Sequence, residues 1–284
     1  MPDKQIGEGN MYIISAVVKN NHSRIALYDQ DQTLLQEKEG AFTSLSQLCL
    51  DVISEQNVKP TDIDYIGIAV DQAVGTPALV ASEVEKNTGI RSLGTSVMGA
   101  RALGEAHLAG DVPSLFLLKV DDTVECGIVI ENKVFSGMHQ LGGKIAHMVI
   151  DFDGFECACG RKGCFEAYAS NAGLKRIAAQ AGLSNVESLT HAKLFEMSSP
   201  EAELAKKEYI AYLAGGITNI INLFQPNDLV LEGPFTKVGQ ALTEPMMEII
   251  LREQYTHSLS NKCNIKLADQ VQDTALIGAS LLGR

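Results

Sequence analysis

Apolar residues cluster in short runs separated by polar turns from the beginning of the chain. MYIISAVV (Met11–Val18), RIALYD (Arg24–Asp29) and TLLQEK (Thr33–Lys38) each read as a strand. Their connectors, KNNHS and DQDQ, are short and polar, so the spacing predicts an antiparallel meander. Leu45, Leu48 and Leu50 give Thr43–Val52 the pattern of an amphipathic helix. Tyr65–Val70 is apolar throughout, as expected of a strand covered on both faces. Helical patterns follow at Pro77–Lys86 and at the alanine- and leucine-rich Met98–Ala109.

The same organisation then returns. Leu115–Val120, Cys126–Glu131 and Lys133–Ser136 read as strands, the last two joined at Glu131-Asn132. Strand, polar loop, strand, tight turn, strand thus occurs twice, which predicts two similar α/β domains. The boundary is expected near Gly110–Pro113, giving an N-terminal domain over 1–110 and a larger one over 111–284. Beyond it the pattern is largely helical. Helices are expected at Ala202–Phe224, Val238–Arg252 and Asp273–Leu282, with Asp273 near an N-cap. Short strands are expected at Asp228–Leu231 and Asn264–Ala268.

Composition narrows the function classes. A chain of 284 residues with 45% apolar residues can bury a sizeable core. Its net charge of -12 argues against a general nucleic-acid binder, which needs a basic surface. No apolar stretch approaches the length of a membrane span, and no secretory pattern opens the chain. A cytoplasmic protein with no membrane partner is expected.

The densest chemistry lies in HMVIDFDGFECACGRKGCFEAYAS, His147–Ser170. Cys157, Cys159 and Cys164 fall close together, and His147 lies ten residues upstream of the first. One imidazole and three thiolates suit a closed, tetrahedral, structural zinc site. Free buried thiols and redox chemistry remain open on the residues alone. A disulfide framework is not expected in a long, cysteine-poor chain.

This stretch closely resembles the signature of the ROK family, which contains bacterial sugar kinases, open reading frames and sugar-responsive repressors. His147, Cys157, Cys159, Gly160, Gly163, Cys164, Glu166, Tyr168 and Ser170 fill the family pattern. ALGEA (Ala102–Ala106) is similar to the start of the family's linking helix, LVLEGPF (Leu229–Phe235) to a later strand and turn, and TALIGASLLG (Thr274–Gly283) to the closing helix. The resemblance implies an actin-like ATPase (ribonuclease H-like) fold: two α/β domains around a cleft, with the final helix packing back on the N-terminal domain. It also implies zinc on His147, Cys157, Cys159 and Cys164, and a homodimer.

Family kinases phosphorylate hexoses or N-acetylhexosamines with ATP and magnesium. Here the parts that the resemblance assigns to that chemistry have changed. The first phosphate loop corresponds to Val17–Asn21, with Val17 at the acidic position and Lys19 and Asn20 at the glycines. The second corresponds to Asp121–Gly127, where only Gly127 survives. Asp121 and Asp122 would repel a phosphate tail unless both held a magnesium ion. The catalytic base position is Val97, beside Ser96, and valine accepts no proton. Asp71 is the one weak substitute. In the sugar-gripping segment, Lys144 stands at a glutamate position while His147 and Glu166 remain. Gly233 matches the adenine-binding turn. The family's repressors carry a winged helix-turn-helix ahead of this part, and ten residues before the first strand leave no room for one, so no direct nucleic-acid partner is expected. The reading is a noncatalytic ROK-fold protein that binds a sugar, a sugar acid or a partner protein. The alternative is a divergent, glucokinase-like sugar kinase using ATP and magnesium.

Overall fold

The structure, a computed structural model, describes residues 11–137, 142–255, 263–268 and 274–284. Its strands and helices, in chain order, are β1 (Tyr12–Lys19), β2 (His22–Tyr28), β3 (Leu34–Ala41), α1 (Leu45–Glu55), β4 (Ile63–Val70), α2 (Pro77–Thr88), β5 (Ser92–Ser96), α3 (Val97–Leu108), β6 (Leu115–Val120), β7 (Val124–Ile130), β8 (Lys133–Val134), α4 (Phe165–Ala169), α5 (Asn171–Gln180), α6 (His191–Glu196), α7 (Pro200–Phe224), β9 (Asp228–Glu232), α8 (Gln240–Glu253), β10 (Asn264–Leu267) and α9 (Thr274–Ala279).

Two five-stranded sheets form, in the orders β3-β2-β1-β4-β5 and β10-β9-β6-β7-β8. In each, an antiparallel pair meets a strand that runs parallel to its neighbour: β1 pairs β2 antiparallel and β4 parallel, and β6 pairs β7 antiparallel and β9 parallel. The chain separates into two compact units. The first comprises residues 1–111, 131–142 and 273–284, and the second comprises 112–130 and 143–272.

In the first unit, β1 is buried on both faces. Ile14, Ala16 and Val18 belong to a core completed by side chains of α1 and α2. Val17, on the opposite face, belongs to a cluster with Ala69, Ala100 and Leu276. That second face is closed by α3 and α9, which cross closely: a Cβ on Gly278 would lie 1.7 Å from the carbonyl oxygen of Ala100, and one on Gly104 would lie 2.2 Å from that of Thr274. The glycines in ALGEA and TALIGASLLG are thus packing residues. The Tyr65 hydroxyl adds a hydrogen bond of 2.5 Å to the carbonyl of Ser280.

Several boundaries differ from the sequence pattern for local reasons. β5, SLGTS, has no apolar run; it forms as the edge partner of β4. α8 starts at Gln240, because Gly239 (φ 76°, ψ -147°) breaks the helix after a 3₁₀ turn over Pro234–Val238. α9 ends at Ala279, and the expected cap at Asp273 lies outside the described residues.

The second unit packs β6, β7 and β9 against α4, α5, α7 and α8 in one core. His191 lies inside it, 1% exposed, with Nε2 2.8 Å from the Tyr209 hydroxyl, which donates in turn to the carbonyl of Ala169. Burial lowers the His191 pKa to about 4, against the opposing charge of Asp121. The unfolded chain therefore takes up a proton first as pH falls below about 6.5. The contribution of neutral His191 is complete above that pH and is lost progressively toward pH 4, about 3 kcal/mol in all. Chemical denaturation between pH 7 and pH 4 is expected to show this slope, and His191→Gln should flatten it.

Candidate metal centre

The segment from Lys144 to Cys164, leading into α4, is built to converge. The 3₁₀ turn Ile145–His147 delivers His147, and a bridge between Val149 and Cys164 sets the two ends of the loop side by side. A second bridge, Glu156 to Lys162, closes a small hairpin in which Cys157 N–H donates to the Arg161 carbonyl at 2.8 Å and Gly160 N–H donates to that of Cys157 at 3.0 Å. Gly163 is required where the strands touch: its φ is 72°, and a Cβ there would lie 1.5 Å from the carbonyl oxygen of Asp151.

The four side chains meet. One donor atom from each of His147, Cys157, Cys159 and Cys164 lies within 4.8 Å of all the others, and this set can hold a metal ion. His147 Nδ1 is 3.7 Å from Cys157 Sγ, and Cys159 Sγ is 3.6 Å from Cys164 Sγ. A tetrahedron with metal–sulfur bonds of about 2.3 Å, the value for zinc, has sulfur–sulfur edges of about 3.8 Å. The donor set therefore fits a four-coordinate thiophilic ion, whereas a disulfide would need sulfurs about 2.05 Å apart. Electrostatics point the same way. The backbone N–H of Arg161 holds the exposed Cys159 thiol below its ordinary range, while burial, followed by the neighbouring thiols, pushes Cys164 up to about 12. A cation at the centre removes that conflict by stabilising every thiolate at once.

A clamp that the sequence reading missed holds the loop in place. The Tyr168 hydroxyl donates to Asp151 Oδ2 at 2.7 Å and accepts from Phe155 N–H at 2.9 Å. Phe155, Tyr168 and Tyr212 stack, with centroids 4.6 and 4.0 Å apart. Tyr168 was visible as a motif residue, but its partners Asp151 and Tyr212 carry no spacing signal.

Glu166 sits on α4 beside this centre. Its Oε2 accepts from Val124 N–H at 3.0 Å, and its Oε1 is 3.9 Å from Cys157 Sγ. Lys144 is exposed, at the start of the turn that ends in His147. The turn after β6 is only Asp121–Thr123, since Val120 already pairs with Val124. Asn171 Nδ2 donates to both Asp121 Oδ1 and Asp122 Oδ1, each at 2.9 Å. Gly127 lies in mid-β7 opposite Leu117. Gly233 follows β9 with φ 147°, and a Cβ there would lie 1.9 Å from the Val120 carbonyl oxygen.

In the first unit, Lys19 pairs with His22, so Asn20-Asn21 is a two-residue hairpin turn, with Asn20 at φ 48°. Val97 opens α3 after Ser96, whose Oγ caps the helix by accepting from Gly99 N–H at 3.0 Å. Its side chain packs on the apolar cluster that contains Val17. Asp71 Oδ1 accepts from Ala73 N–H at 2.9 Å, as the cap of a local turn.

A ROK hexokinase from Thermus thermophilus superposes with a TM-score of 0.78 over 96% of this chain and 98% of its own, at 22% identity. The fold is thus the α/β architecture of ROK hexokinases and glucokinases. The ROK family model matches residues 51–284, and the chain belongs to the ROK family. A xylose repressor of Caldicellulosiruptor bescii is 26% identical over 268 residues, covering 82% of this chain and 66% of the repressor. A glucokinase of Halalkalibacterium halodurans is 30% identical over 199 residues, covering 64% of this chain and 60% of the enzyme. The chain spans less than two thirds of the length of each. Among the described residues no helix is long and apolar enough to cross a membrane.

Proposed function

We propose that the chain is a noncatalytic ROK-family protein, with structural zinc on His147, Cys157, Cys159 and Cys164, that binds a sugar or sugar acid beside that centre. The observation that carries the noncatalytic reading is the shared cluster. The resemblance gives carboxylates to the positions of Val17 and Val97, and both side chains pack on one apolar cluster with Ala69, Ala100 and Leu276. Such a surface offers neither a proton acceptor nor a magnesium ligand. The tight Asn20-Asn21 turn likewise lacks the converging amides of a glycine-rich loop.

The ligand reading rests on what surrounds the metal. Four protein ligands leave no open coordination position, so the ion positions residues and does not activate water. Were His147 to bind the ion through Nδ1, the nitrogen nearer Cys157 Sγ, its proton would sit on Nε2 and could be donated to a hydroxyl or carboxylate oxygen. Glu166 on α4, held by Val124 N–H, supplies an acceptor beside it. Lys144 adds a cation, which favours an acidic sugar over a neutral one. The glucokinase likeness supports a divergent kinase as the second reading, with Asp71 as its base, although the Asp71 carboxylate is engaged as a turn cap.

Calorimetric titration with pentoses, hexoses, N-acetylhexosamines and the matching uronic acids tests this. Saturable binding is expected for at least one of them, weakened at least tenfold in Glu166→Gln, with any preference for the acid lost in Lys144→Gln. Absence of binding for the whole panel at millimolar concentration would remove the sugar assignment.

A further inference from the structure

The four donors differ in access. Cys159 is exposed, whereas Cys157 and Cys164 are buried. The exposed sulfur lies 3.6 Å from that of Cys164, at the other end of a loop of four intervening residues. The Cys159 end faces open space: nothing lies within 4 Å of where a Cβ on the adjacent Gly160 would stand. The Cys164 end is fixed by Gly163 against Asp151 and by Phe165 N–H donating to the Met148 carbonyl at 2.8 Å. An attacking oxidant thus meets one accessible sulfur with a buried sulfur behind it.

We propose that Cys159 and Cys164 form a peroxide-sensitive switch that ejects the metal. The inference rests on the metal centre proposed above. Hydrogen peroxide or an organic hydroperoxide transfers one oxygen to the Cys159 sulfur, giving the sulfenic acid and releasing water or alcohol. The Cys164 sulfur then attacks the Cys159 sulfur, the sulfur–oxygen bond breaks, and water leaves with the proton of the attacking thiol. In sum two thiols and one hydroperoxide give one disulfide, one water and one water or alcohol. The new bond needs the sulfurs to close from 3.6 Å to about 2.05 Å, on the side where Cys159 faces open space. A Cys157–Cys159 bond would close a far smaller ring across a single residue.

The consequence is a change of site geometry. With two thiolates withdrawn, only His147 and Cys157 remain as donors, too few for a four-coordinate ion. Cys164 is also the residue on which α4 starts, and α4 carries Glu166 and Tyr168. The redox state of the pair therefore reaches the proposed ligand-binding carboxylate through one helical turn. Of the other described cysteines, Cys49 is buried and Cys126 and Cys263 are half-buried, and none is exposed as Cys159 is; burial raises the Cys49 and Cys263 thiols to about 12, and raises Cys126 as well.

The test treats the purified, metal-analysed protein with a small excess of hydrogen peroxide. Expected are a mass loss of two hydrogens, a disulfide mapped by peptide mass spectrometry to Cys159–Cys164, and release of one zinc per disulfide to a chromogenic chelator. A thiol reductant with added zinc should reverse all three. Cys159→His keeps four donors without the oxidisable sulfur and should retain its zinc under peroxide. Cys126→Ala should behave as wild type. A disulfide mapped to another pair, irreversible over-oxidation alone, or full retention of zinc with unmodified thiols would overturn the proposal. Absence of zinc from the protein as isolated would overturn the metal centre and with it the ejection, whereas zinc that stays bound in a protein without the Cys159–Cys164 bond would overturn the switch alone.

Discussion

Cys159→Ser is expected to lower the melting temperature by roughly 10 °C and to abolish stoichiometric zinc. The side chain is exposed and supports no core packing, so any large effect must come through the ion. A surface substitution without such a role changes stability by about 0.5 kcal/mol or less. Structural zinc supplies on the order of 10 kcal/mol to the fold that holds it, because the unfolded chain has no assembled site. Losing one of four donors forfeits on the order of 4 kcal/mol of that, and a domain of this size melts a few degrees lower per kcal/mol. Chelation of the wild-type protein should produce a loss of similar direction. Elemental analysis combined with calorimetry checks both effects. A Cys159→Ser protein that melts with wild type would support the reading of free thiols.

Val97→Asp is expected to yield no phosphorylation of any common hexose and to cost about 2 kcal/mol. The new carboxylate would stand on the cluster of Val17, Ala69, Ala100 and Leu276, where its desolvation is uncompensated. A restored base also cannot act alone. Lys19 and Asn20 would still form a tight hairpin end, and Asp121 and Asp122 would still share the Asn171 amide. Groups that act as a unit are non-additive, so one recovered member recovers almost nothing. Asp71→Asn should leave wild-type turnover at background as well. Coupled assays on wild type and both variants check this, and turnover in wild type that vanishes in Asp71→Asn would establish the kinase reading.

Much of this was legible in the chain because the relevant signals are local. The meander of β1, β2 and β3 follows from apolar runs with polar turns, and β4 follows from an uninterrupted apolar stretch. The His147, Cys157, Cys159 and Cys164 set is a spacing motif whose members meet through one hairpin. The remainder depends on contacts distant in sequence. β5 has almost no apolar signal and exists through its pairing with β4. The Asp151 clamp joins residues from the loop, α4 and α7, with no periodicity to announce it. Val17 and Val97 read individually as two lost carboxylates. That they pack on the same cluster appears only once α3 and α9 close over β1. Gly278 and Gly104 likewise look like motif residues until the close helix crossing shows what a Cβ would strike.

The most direct measurement is calorimetric titration of the zinc-loaded protein with ATP-magnesium, alone and in the presence of each sugar that binds. A noncatalytic chain with valines at positions 17 and 97 should give no saturable heat at micromolar nucleotide and no sugar phosphate at the end of the titration. A micromolar dissociation constant, accompanied by a phosphorylated sugar in the cell, would contradict it.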